Sequence, residues 1–263
     1  MQRDVITREI IFLAAEEVDK FFEECNQKQF FEEKVGVKRV NDTRWKEAQY
    51  YERKTWCGPQ TQNMREDRNT VHRHYFDNYK ILNDILPKKI SVIELGCGPF
   101  TNLNFMLPFK NSIVTSIDLL DPLINDYVLG TTNCVYKNGS LNFIPVNLHP
   151  NPIENFNLDK SFDLVVIINV LEHCFNIDLI FEKIDKMLKP GGILVFADKY
   201  HTEERIKHLL DTLYDAGHPI LISDTYIKEK LAKYKNLYAY KLPELTDGGT
   251  ITGTATTYQI LQK

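Results

Sequence analysis

Several residues able to do chemistry stand just after, or inside, short apolar runs of this 263-residue chain. Val92, Ile93 and Leu95 make one such run, and it ends in Gly96-Cys97-Gly98, where a chain must turn sharply and let a ligand approach its backbone. Glu94 puts a carboxylate inside that run; once buried it needs a partner, either a loop amide or a cationic ligand group. Asp118 closes the next apolar run about 20 residues beyond Gly98, the spacing at which an acid binds both ribose hydroxyls of an adenosine ligand. The competing role for Asp118 is to cap the following helix. Asp121, just before Pro122, can do that capping, and it is also the second candidate for the ribose. Later runs are followed by His173, His201 and His218. Histidine titrates near neutrality, so each is a candidate general base or acceptor-binding group, against the plainer reading of a capping or exposed ring. Asp198 and Asp224 are only two spaced acids, which is thin for magnesium, so no metal is expected.

These residues need elements to position them. From Ile90 onward strand-like and helix-like segments alternate. Strands are expected at 91–95, 112–118, 142–146, 162–168 and 193–197, with helices at 101–107, 122–129, 177–188 and 202–216 between and after them. Two late strands, 238–242 and 254–261, flank Asp247-Gly248-Gly249 as a hairpin-like pair. Such alternation predicts an α/β fold with a doubly wound, mostly parallel, Rossmann-like sheet, and ligands bound at the carboxyl ends of its strands. A strand, a glycine turn and a helix N-terminus at 91–107 then make a small-molecule cradle. Pro99 and Phe100 interrupt that turn and nothing basic follows, which suits a ligand without phosphate better than a dinucleotide.

Residues 1–88 read as a helical extension or lid, ahead of a ligand-binding domain over 89–263. Helices are expected at 9–25, 44–56 and 74–86, the last stopped by Pro87. On the middle one, Trp45, Gln49, Glu52 and Trp56 share a face. A face that mixes two tryptophans with Gln and Glu could cover a polar acceptor, or it could simply pack on the domain edge.

Composition narrows the classes. A net charge of −4 leaves no basic footprint for nucleic acid, and no stretch approaches a membrane span. Ile10 to Ala15 is short for a signal core and runs into Glu16 and Glu17, so no export signal is expected. Five scattered cysteines without a C-x-x-C pair suit a reducing cytoplasm and argue against structural zinc.

In order and spacing, Val92-Ile-Glu-Leu-Gly-Cys-Gly98, Asp118, Phe162-Asp-Leu-Val-Val-Ile-Ile-Asn-Val-Leu-Glu-His173 and Leu188-Lys-Pro-Gly-Gly-Ile-Leu-Val195 resemble the class I S-adenosylmethionine-dependent methyltransferases. The resemblance covers Ile90 to the C-terminus and implies a seven-stranded sheet. It also implies that Glu94, Gly96 and Gly98 surround the methionine moiety of S-adenosylmethionine and that Asp118 holds the ribose. Glu154 would reach the adenine, and the Asn169 backbone would lie beside the sulfonium. The third glycine position of the loop is Phe100, which would set the helix further from the strand. Because Leu-Glu-His is common in this superfamily whatever the acceptor, His201 and His218 rank above His173 as candidate bases. A softer likeness, in Trp45–Trp56, Asp121–Tyr127 and His218-Pro219, is to small methyltransferases of bacterial surface-polysaccharide and secondary-metabolite pathways. It implies a sugar or nucleotide-sugar oxygen as acceptor, with Trp45, Glu52 and Trp56 contacting it. A carboxylate or amine acceptor would use the same cofactor site. A non-catalytic binding subunit is the reading from a different class.

Overall fold

The apolar runs pair into a sheet. The computed structural model describes residues 35–58, 68–131, 133–212, 215–246 and 249–263. Its strands are β1 (Gly36–Val37), β2 (Lys89–Leu95), β3 (Ile113–Leu120), β4 (Ser140–Leu141), β5 (Ile144–His149), β6 (Phe162–Ile168), β7 (Leu188–His201), β8 (Ile220–Leu221), β9 (Lys235–Leu245) and β10 (Ile251–Gln262). The main sheet has the order β4-β5-β3-β2-β6-β7-β10-β9. Strands β5, β3, β2, β6 and β7 are mutually parallel, and β10 joins antiparallel to both β7 and β9. The seven expected strands are all present. An eighth, the two-residue β4, hangs antiparallel on β5 at the edge. Chain order reverses between β2 and β6, so the switch point of the sheet falls at the glycine turn.

Both faces are covered, which is why the central strands read as continuous apolar runs. Ile93, Leu95, Val165, Ile167, Leu194 and Phe196 point to one face and meet Ile180, Phe181 and Ile184 of helix α6 (Ile177–Met187). Asn176 caps that helix, its side-chain oxygen accepting from the Asp178 and Leu179 amides. Val92, Leu164, Val166, Val195 and Ile260 point the other way, against Leu103 and Ile124 and the aromatic side chains of Phe76 and Tyr79. Trp56, Phe76, Leu82 and Leu86 sit in that same core. Residues 35–263 form one compact unit, so among the described residues no boundary falls near 88.

Of the helices expected ahead of the sheet, one is present, one is broken and one lies outside the described residues. The helix read at 44–56 is α1 (Asp42–Cys57), started by Asn41, whose side chain accepts from the Arg44 amide at 2.8 Å. The single helix read at 74–86 is broken into α2 (Arg68–Tyr75), a 3-10 turn over Asp77–Tyr79 and the short α3 (Leu82–Ile85). Asp77, Asn78 and Tyr79 have φ of 47°, 57° and 55°, left-handed values that no α-helix carries through. The helix read at 9–25 lies outside the described residues, as do Asp247 and Gly248 of the expected hairpin loop. No described helix is long and apolar enough to cross a membrane.

Phe181 is 2% exposed, with its ring edge-on to Tyr226 at 5.9 Å and 6.1 Å from Phe196. Phe181→Ala is expected to destabilise this unit by about 3–5 kcal/mol, read as a lower urea midpoint at unchanged slope.

Candidate functional site

The glycine turn is held open from behind. Gly96 has φ +67°, and a Cβ there would stand 2.5 Å from Cγ2 of Val170, so the loop after β6 forbids any side chain. Gly98 has φ +55° and would point a Cβ into open space, which is the side a ligand would take. Glu94 does not line this space. It is 1% exposed, and its carboxylate accepts from the Thr101 hydroxyl, the Asn102 amide at 2.9 Å, the Asn102 side chain at 3.0 Å and the Leu103 amide at 3.3 Å. Of the two partners it could have had, it takes the backbone that starts α4 (Leu103–Met106). Burial pushes its pKa up and these hydrogen bonds pull against that rise. Its expected contact with the cofactor gives way to a structural role. At the third glycine position Phe100 is buried, edge-on to Trp56 at 5.9 Å.

A cavity of about 300 Å³ opens at the carboxyl ends of β2, β3, β5 and β6, roofed by α1 and α2. Gly96, Gly98, Glu154 and Asn169 all line it, as do Trp45, Glu52, Trp56, His173 and His218. Asp118 does not. The second parallel strand runs two residues beyond its expected end, through Leu120. Asp118 is therefore left inside the strand, bound to Lys160 at 2.6 Å and to His149 at 2.9 Å. Asp121 takes the strand end instead: it lines the cavity and accepts from the Gly98 amide at 3.1 Å and the Leu123 amide at 2.9 Å. Burial, with the like charges of Glu52 and Glu94 adding to it, pushes the Asp121 pKa up to about 7.

The loop after β6 is strained and braced. Asn169 has φ 57°, and its amide donates to the Ala197 carbonyl at 2.8 Å. The next two amides, of Val170 and Leu171, both donate to one oxygen of Asp198. Asp198 is thus a brace for this loop rather than half of a metal pair, and Asp224 is engaged with Lys228. Glu154 stands in a 3-10 turn over Ile153–Asn155, and one of its oxygens accepts the Phe175 and Asn176 amides while the residue borders the cavity.

Of the three histidines, His173 and His218 line the cavity and His201 does not. His173 and His218 meet with ring centroids 4.6 Å apart, and His173 Nδ1 lies 3.5 Å from Glu52. His218 Nδ1 pairs with Asp215 at 2.9 Å; burial alone would lower its pKa, but Asp215 and Glu172 outweigh burial and raise it. His201 is elsewhere, 8% exposed at the end of β7, with Nδ1 2.9 Å from the Thr254 hydroxyl and its pKa depressed to about 4 by burial. It does not line the cavity.

Helix α1 holds this end together. Trp45 and Gln49 both donate to the His173 carbonyl, at 3.1 Å and 3.2 Å, and the Trp56 indole donates to Glu52 at 3.0 Å. Arg44, 1% exposed, binds Glu47 and the carbonyls of Asp215 and Ala216. Nothing local in the sequence marks Arg44 or Asp215, because the partners lie 171 and 172 positions apart. Asn69 and His72 of α2 also line the cavity and carried no sequence signal.

The donor set suits an adenosine cofactor with a positive centre and no phosphate. Glu52, Asp121 and Glu154 line the cavity, and no lysine or arginine stands among its described lining residues. Asp121→Asn should weaken S-adenosylmethionine binding about tenfold or more, a loss of roughly 1.4 kcal/mol or greater, while Asp118→Asn should lower Tm and leave that affinity within about twofold. If Asp121 is the ribose acceptor, the hydroxyls need its carboxylate ionised, so wild-type affinity should fall as pH drops below about 7, by up to about tenfold per unit, and Asp121→Asn should flatten that profile in calorimetry.

Comparison with known proteins follows the same line. A family model described as a methyltransferase domain matches residues 64–234. The malonyl-[acyl-carrier protein] O-methyltransferase 2 of Ilyobacter polytropus is 27% identical over 128 residues, 48% of this chain and 46% of that protein. The ubiquinone biosynthesis O-methyltransferase of Rickettsia bellii is 30% identical over 125 residues, 46% of each chain. The chain thus spans a little under half the length of these curated relatives. Among solved structures, the N-methyltransferase NodS of Bradyrhizobium japonicum aligns with TM-score 0.50 and 14% identity, over 75% of this chain and 98% of that one. The [4+2]-cyclase SpnF aligns with TM-score 0.56 and 13% identity, over 88% and 98%. At such identities the likeness is one of fold, and two differently named activities share it. Family model, motif order and sheet order agree, and the chain belongs to the class I S-adenosylmethionine-dependent methyltransferase superfamily.

Proposed function

We propose that this protein transfers the methyl group of S-adenosylmethionine to a hydroxyl oxygen of a small, uncharged, polar acceptor. The observation that carries this is the meeting of Glu52, His173 and His218 in the cavity that also holds the glycine turn and Asp121. When bound, the cofactor supplies a methyl already activated by its positive sulfur. Asp121 then takes the ribose, Gly96 and Gly98 admit the methionine portion, Glu154 faces the adenine and the Asn169 backbone borders the reacting centre. A hydroxyl acceptor must still lose its proton, and the imidazole and carboxylate groups of the cluster accept it, directly or through an ion that they bind. Positioning does the rest, with α1 closing the acceptor side through Trp45 and Trp56.

The charge of the cavity narrows the acceptor. Carboxylates with no lysine or arginine among the described lining residues disfavour a diphosphate, so we favour a free sugar, polyol or phenol over the nucleotide-sugar form of the expected acceptor. The same argument weighs against a carboxylate acceptor. Two of the similar proteins are named as O-methyltransferases, which supports oxygen over nitrogen.

Incubation with S-adenosylmethionine and a panel of sugars, polyols, phenols, amines and carboxylic acids should add one methyl mass to a hydroxylic member. His173→Gln and His218→Gln should each lower that rate by about 10²–10⁴-fold at unchanged cofactor affinity. Methylation confined to carboxylates or amines would overturn the hydroxyl reading, and no cofactor binding at tens of micromolar would overturn the enzyme reading.

A further inference from the structure

We propose that Glu52, His173 and His218 bind a divalent first-row transition-metal ion, and that the acceptor hydroxyl is activated on that ion. Each residue offers a ligand atom, and the three atoms lie within 4.8 Å of one another. Ligands about 2.1 Å from an ion stand roughly 3 Å apart, so modest side-chain rotation closes the set. Two imidazoles and one carboxylate are a donor set for Fe²⁺, Mn²⁺, Co²⁺ or Zn²⁺, and they leave coordination positions open for oxygens of a substrate.

Tautomers and surroundings agree with an ion. The Gly217 carbonyl 3.1 Å from His173 Nδ1 can only accept, and so can the Asp215 carboxylate 2.9 Å from His218 Nδ1. Both Nδ1 atoms therefore carry the proton, which leaves each Nε2 a lone pair; Glu52 lies 3.5 Å from His173 Nδ1 and Glu172 3.7 Å from His218 Nε2, so binding an ion through both Nε2 atoms requires the side chains to rotate. A carbonyl or carboxylate behind each imidazole is the usual support of a metal-bound histidine. Arg44 fixes the backbone of 215–216 and the tryptophan end of α1 fixes the His173 carbonyl, so three distant segments are held against one another before any ion arrives. Charge points the same way. Glu52, Glu172 and Asp215 bring three carboxylates to the two imidazoles, and of the lysines only Lys199, paired with Glu172 at 2.9 Å, bonds directly to this group among the described residues.

A bound ion lowers the pKa of a coordinated hydroxyl, so the proton leaves to solvent and the alkoxide or phenolate oxygen faces the methyl donor. Where the ion is six-coordinate, more than one position stays open, which favours an acceptor with a second oxygen beside the target hydroxyl, a catechol or a vicinal diol. This acceptor role rests on the methyl-transfer reading above; the binding of the ion does not.

The test uses full-length protein stripped with chelator and titrated with Co²⁺ and Zn²⁺, with S-adenosylmethionine binding measured separately. One equivalent of Co²⁺ should bind and give visible d–d absorption. Glu52→Gln, His173→Gln and His218→Gln should each abolish that absorption, while Asp215→Asn should weaken binding about 10–100-fold. His201→Gln, outside the cavity, should bind as wild type, and melting curves should show every variant folded. No stoichiometric Co²⁺ or Zn²⁺ binding by the wild type, or absorption retained in the His173→Gln/His218→Gln double variant, would overturn the proposal. Failure of S-adenosylmethionine binding with the Co²⁺ spectrum intact would overturn the methyl-transfer reading alone.

Discussion

A carboxylate buried at the centre of the sheet fixes the geometry around it. Glu94 lies in β2 between Ile93 and Leu95 and across from Leu119 and Val166, and it is stable there because the chain beyond the glycine turn folds back and donates to it. Those donors are the otherwise unpaired amides at the start of α4, so one interaction satisfies a charge and a helix end together. Because the carboxylate draws residues 101–103 inward, the glycine turn must bulge toward the strand ends. The cavity opens on that bulge. Gly96 then presses on Val170, and Asp198 holds Val170 and Leu171 from the other side. A buried Glu, two glycines of positive φ and a buried Asp thus set the floor of the site, and neither carboxylate is among its lining residues.

The acceptor side is built on a different principle. Its groups come from α1, from the turn after β6 and from the segment after α7 (Glu203–Thr212), and they are joined by long-range polar contacts rather than by sheet register. Arg44 matters most here, since a fully buried guanidinium bound to Glu47 and to two carbonyls permits little movement of the segment carrying His218. A rigid acceptor wall beside a preformed cofactor floor is the arrangement that alignment of two substrates requires.

Much of this was legible in the chain itself. β6 begins and ends at the expected residues, since a strand buried on both faces writes a continuous apolar run, here Leu164 to Ile168, with Phe162 ahead of it and only Asp163 between. The helix after it, capped by Asn176, was equally plain. Where the reading slipped, polar residues interrupted the pattern. β3 continues through Leu119 and Leu120 after Asp118, so the acid that reaches the strand end and lines the cavity is Asp121, three positions later. The left-handed turn at 77–79 sits within a sequence whose apolar spacing is helical throughout, and packing on Tyr238 and Tyr258 overrides that spacing.

By its own patterning, then, the chain determined the alternation of strands and helices, the glycine turn and the class of cofactor, because each depends on local periodicity or on short motifs in a set order. Only the tertiary structure decided which groups line the cavity and which support it from behind. Glu94 and Asp118 have the residue types of ligand contacts, yet burial and the alternation of a strand turn both away from the cavity. The choice among the histidines was also made in three dimensions. His173 and His218, 45 residues apart, are brought ring to ring, whereas His201 is drawn under β10 to Thr254. Chain proximity says where a residue stands along a strand, but the direction of its side chain is settled by what the neighbouring strands and helices leave room for.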